Sequence, residues 1–177
     1  ADLFMKWSVS EKEAIGIYEV VFDDSNKKDK KWYINTNQSF AFADDTVTAS
    51  YGTATPKAHA DTTWTQEDLD DLDEVGDLTA GDIKTRGLKY NLIKDLKVNV
   101  SNELARTDWY ITRNAEKSTA IPSSISTHRD AVRTKQASME IAITNASNTP
   151  ALETLYTYTT TDGVQSRPLG ELPVLEL

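Results

Sequence analysis

The sequence predicts an α+β fold: an N-terminal antiparallel β region, then a C-terminal helical hairpin and an extended tail. Three observations lead to it. Apolar residues alternate in residues 40–51, where Phe40, Phe42, Val47, Ala49 and Tyr51 keep a period of two. From Leu88 the period becomes four, through Leu92, Leu96, Val100 and Leu104. The last segment, SRPLGELPVLEL, holds two prolines and a glycine and suits neither period. The change of period places a boundary between a β-rich domain, residues 1–80, and a helical domain with a C-terminal arm, residues 81–177.

Taken in order, AIGIYEVVF (residues 14–22) and KWYINT (residues 31–36) flank the charged run DDSNKKDKK, which suggests a hairpin. SFAFADDTVTASYG suggests a second one, turning at Asp44-Asp45, with one face buried and the other wet. TWTQEDLDDLDEVGDLTAGD (residues 63–82) is acidic, with Leu69, Leu72 and Val75 at a spacing of three, and reads as a short acidic helix or turn. No register of it places ligands, a glycine and a closing glutamate as a calcium loop needs.

A long amphipathic helix is expected over residues 81–105. A second follows over residues 123–146, N-capped by Ser123 or Ser124, with Ile125, His128, Val132, Met139 and Ile143 on its stripe. PALETLYTY restarts as a short helix with Pro150 in its first turn. TYTTTDGV is strand-like and ends in an Asp-Gly turn.

Composition narrows the function. Apolar residues are 38% of the 177, little for a large core, which leaves surface for partners. The net charge of −9 makes nucleic acid a poor partner, because phosphate is bound by lysine and arginine. No apolar run approaches the ~18 residues of a membrane span. The opening stretch ADLFMKWSVSEKEA lacks the apolar core of a secretory signal. With no cysteine, thiol catalysis and disulfides are out.

Chemistry finds little foothold. His59 lies in a polar loop, and His128 and Asp130 are two apart on a helix and do not face each other. Two distant histidines make no metal site, and the seven glycines form no phosphate-cradling loop. A distant carboxylate pair of the glycosidase type is compatible with 28 acids, but nothing singles one out. The chain is therefore expected to be no enzyme and to need no cofactor or metal.

TDWYITR (residues 107–113) follows the first long helix directly. It could be a catalytic pocket, a ligand platform or a packing joint. The joint suits it best: Trp109 fills the gap between the two apolar stripes, with Tyr110 beside it, while Asp108 and Arg113 hold the corner of the hairpin.

TDWYITRNAEKSTAIP followed by STHRDAVR resembles the C-terminal domain of tail-fibre and tail-fibre assembly proteins of tailed bacteriophages. The matching residues are Asp108, Trp109, Arg113, Ile121, Pro122, Arg129, Ala131 and Arg133. His128 stands where the family pattern has tyrosine. RGLKYNL and SRPLGELP are also similar to segments of marine-phage virion proteins. The resemblance spans residues 82–173.

It implies a structural component of a phage tail, at the baseplate, fibre or tail adaptor. Its partners would be other tail proteins and copies of itself. Its place would be the virion tail after synthesis in the host cytoplasm. A fibre-assembly chaperone absent from the finished particle is the alternative, and a polysaccharide-acting enzyme a more distant one. On that reading the joint comprises Asp108, Trp109, Tyr110, Arg113, Pro122, Arg129 and Arg133. The tail, through Pro168, Leu169, Leu172 and Leu175, is expected to be a docking arm inserted into a neighbour, with packing along its own domain the alternative.

Overall fold

A computed structural model describes residues 6–175; the first five residues of the stretch read for a signal, and Leu177 of the arm, lie outside them. The chain divides into two compact units, Ala1–Lys57 and Ala58–Leu177. Each combines α-helix with small sheets, so the fold class is α+β.

In the first unit, α1 (Val9–Glu13) begins in a capping box: Ser8 Oγ accepts from the Glu11 amide, and the Glu11 carboxylate accepts from the Ser8 amide. A three-stranded sheet follows, in the order β1 (Val20–Asp23), β4 (Thr46–Ser50), β3 (Ser39–Ala43). β2 (Tyr33–Ile34) pairs separately with β5 (Thr55–Pro56). Asp44 and Asp45 both have positive φ (50° and 56°), the backbone of a two-residue type I′ turn, so the expected β3–β4 hairpin forms there.

The other expected hairpin does not form. Val20–Asp23 runs parallel to β4, so the region is mixed rather than antiparallel. The intervening charged run folds on itself instead. The Lys28 backbone amide donates to Asn35 Oδ1 and Asn35 Nδ2 donates back to the Lys28 carbonyl, at 2.9 and 2.8 Å. Trp32 and Tyr33 donate to the Asp29 carbonyl. This local turn delivers Trp32 and Tyr33 to the small core, where both are buried with Ala49 and Ala54.

In the second unit, β6 (Thr62–Thr63) pairs antiparallel with β7 (Ile83–Thr85) around the acidic segment, which holds α2 (Gln66–Asp70) with Leu69 buried. Asp68 pins this loop. The Lys84 ammonium bonded to it, with the Thr65 amide and hydroxyl, lowers its carboxyl pKa to about 2. The boundary thus falls at residue 57, ahead of the expected 80, with β6 and the acidic segment joined to the second unit through the pairing with β7.

The first long helix, α3 (Leu88–Ala105), starts later than residue 81 for the same reason: Ile83–Thr85 is taken into the ribbon. Gly87 enters the helix in extended conformation against Ala60, so closely that a Cβ would overlap the Ala60 carbonyl. Asp61 accepts from the Gly87 amide at 2.7 Å and from Arg86 at 2.6 Å, which fixes that crossing.

α4 (Asp108–Lys117), α5 (Ser123–Asn145) and α6 (Thr149–Tyr156) follow. Pro122, not a serine, is the N-cap of α5; its carbonyl accepts from Ile125 and Ser126, and no side chain caps. Contacts of α3 with α5 run in opposite order, Lys89 to Thr144, Lys97 to Glu140 and Glu103 to His128, so the two helices are antiparallel. Leu92, Leu96 and Val100 face the core with Ile125, Val132, Met139 and Ile143. α6 starts at an Asn148 cap with Pro150 in its first turn. β8 (Thr159–Thr161) and β9 (Val164–Ser166) form a hairpin at Asp162-Gly163.

Candidate functional site

Two features stand out, one in each unit. The first is a polar joint in the second unit, where α3 ends. Helix ends leave carbonyls without intrahelical donors. Here the Leu104 carbonyl accepts from the Thr107 amide, the Thr107 hydroxyl (3.0 Å) and Arg129 Nη1 of α5 (2.7 Å). The same Nη1 donates to Thr107 Oγ1 at 2.7 Å and pairs with Asp108 Oδ1 at 2.9 Å. One residue earlier on each helix, His128 Nε2 meets Glu103 Oε1 at 3.1 Å. Thr107, His128 and Arg129 are buried. Arg129 Nε is a buried nitrogen with no partner among the described residues.

This is a packing joint, built differently from the expected one. Asp108 and Arg129 are in it. Trp109 is not the plug: it is 51% exposed, lies against Tyr110 with ring centroids 3.9 Å apart, and carries the Arg113 guanidinium 5.7 Å from its ring centre. The cause is α4. The segment continues as a helix instead of bending into a loop, which leaves Asp108 paired with Arg129 and the Trp109 ring on the exposed side. Pro122 is exposed at the start of α5, and Arg133 is exposed and pairs with Asp130 at 3.4 Å, so neither enters the joint.

Sequence reasoning missed Thr107 and Glu103. Thr107 had a signal, since it extends the Val100, Leu104 stripe by a further three residues. Glu103 had none, because its partner lies 25 positions away.

The arm is also placed differently. Leu169 is 3% exposed, and its amide donates to the Leu155 carbonyl of α6 at 3.0 Å. Arg167 holds the Gly170 carbonyl and Glu171, the latter at 2.7 Å. Leu172 and Leu175 are half-buried and Pro168 is exposed. The tail therefore packs on its own unit through Leu169 rather than standing free as a docking arm.

The second feature is the sheet of the first unit. Strand partners share a face, and alternate residues share it along a strand. The register aligns Val20, Val47 and Phe42 in one row and Phe22, Ala49 and Phe40 in the next. One face is thus wholly apolar. It is not buried as the alternation suggested: Phe22, Phe40 and Phe42 are 65%, 64% and 58% exposed. Ala49 alone on this face is fully buried, flanked by two phenylalanines in register, and Tyr18 stacks on Phe42 at 4.4 Å.

No group of three or more His, Asp or Glu side chains able to hold a metal occurs among the described residues. No described helix is long and apolar enough to cross a membrane. The chain matches no family model, no curated protein and no solved structure.

Proposed function

We propose that this chain is a structural component of a bacteriophage tail, at the baseplate, fibre or tail adaptor, working by assembly with other tail proteins and with copies of itself. The observation that carries an assembly role is the apolar sheet face. Three phenylalanines more than half exposed on the two edge strands, with Val47 and Ala49 of β4 between them, form the kind of apolar patch that marks a protein–protein surface. The phage assignment rests on the motif resemblance. Its Asp108 and Arg129 meet in one ion pair, and a paired Asp–Arg joint suits a helical hairpin with a folded-back tail that serves as scaffold rather than as catalyst.

Mass spectrometry of purified particles of the phage that encodes the chain tests this. Peptides of the chain are expected in structural stoichiometry. Their absence from particles, with the chain abundant in infected cells, would replace the structural role by that of an assembly chaperone.

A further inference from the structure

We infer that the apolar face of the β1–β4–β3 sheet is the interface of a two-fold homodimer, each copy laying this face on the other. The inference names a partner for the assembly reading.

Its first support is composition. Val20, Phe22, Phe40, Phe42, Val47 and Ala49 share the face, and none carries a charge or a hydrogen-bonding side chain. In a chain of net charge −9, a face that carries no charge lets two copies meet without opposing like charges across it. A polar or charged partner would find no complementary group on it.

The second support is area. Phenylalanine buries roughly 150–250 Å² when covered. At 65%, 64% and 58% exposure the three rings offer roughly 280–470 Å² of apolar surface. A standard interface takes about 800 Å² from each partner, a little over half of it apolar, or about 450 Å². The face therefore supplies about the apolar area one side of a stable dimer requires.

The third is symmetry. Every position of the face is apolar, so the face can meet a copy of itself, as an isologous contact requires.

The test is the mass of the full chain in solution by sedimentation equilibrium, for the native sequence and three variants. The native chain is expected at twice its 19.7 kDa. Phe22→Asp and Phe40→Asp each place a carboxylate on the face and are expected to raise the dissociation constant about tenfold or more. Val21→Asp is the control: Val21 is 52% exposed but points to the opposite face, so the dimer should persist. Circular dichroism of each variant checks that its fold survives. A monomeric native chain, a stoichiometry other than two, or a Val21→Asp effect equal to that of Phe22→Asp would overturn the inference. A monomer found in stoichiometric amount in particles would overturn only the dimer and leave the assembly role standing.

Discussion

At the residue scale, Arg129 and Trp109 exchange the importance that size alone assigns them. Arg129 Nη1 serves three oxygens, at Leu104, Thr107 and Asp108, and is shielded from water. Arg129→Met keeps the apolar stem and removes that donor, leaving buried acceptors short of a partner. It should cost about 1–3 kcal/mol. Trp109→Ala removes a ring already half in water and should cost less than about 1 kcal/mol. Urea unfolding of both variants decides between them; a larger loss for Trp109→Ala would restore the tryptophan as the plug of the joint.

Asp68 makes a second residue-scale prediction, about pH. The Lys84 ammonium, with the Thr65 amide and hydroxyl, favours its charged form and holds its pKa near about 2, below the ordinary 3.8. A depressed acid stabilises the fold above its unfolded pKa, and that contribution disappears as pH falls through the folded value. The α2 loop should therefore keep its Asp68 contacts down to about pH 4 and lose them between there and about 2. Carboxyl NMR titration reads this directly, and a midpoint at 3.8 or above would mean that the Lys84 contact does not persist in solution.

At the element scale, hydrophobic period identified most helices and misplaced their ends. The stripe from Leu88 is in the sequence, but so is Ile83, and periodicity does not say that Ile83–Thr85 will pair with Thr62–Thr63. The β3–β4 hairpin was legible because Asp44-Asp45 sits between two alternating runs. The partner of Val20–Asp23 was not, since a parallel pairing carries no turn signal. The tail shows the same limit. Its leucines read as apolar without an element of their own, and only the fold supplies the Leu155 carbonyl for Leu169. Leu169→Ala should cost about 2–5 kcal/mol, the range for a buried leucine. A thermal melt unchanged by this substitution would return the tail to the role of a free arm.

At the scale of the whole molecule, the sequence by itself determined the α+β class, the modest apolar content and the positions of the long helical stripes. These follow from local spacing and composition, which each segment carries with it. The candidate joint was half legible: TDWYITR marked the place and Asp108 and Arg129 were singled out, but the roles of Thr107 and Glu103 depend on residues far along the chain. Tertiary structure alone decided that the units divide at residue 57, that β1 joins β4 in parallel, and that Trp109 stays in water while Thr107 and Arg129 are buried. It also decided that an alternating strand pair keeps its phenylalanines exposed. Alternation states only that a strand has two unlike faces. Which face is covered depends on what the rest of the chain, or a second copy of it, places there.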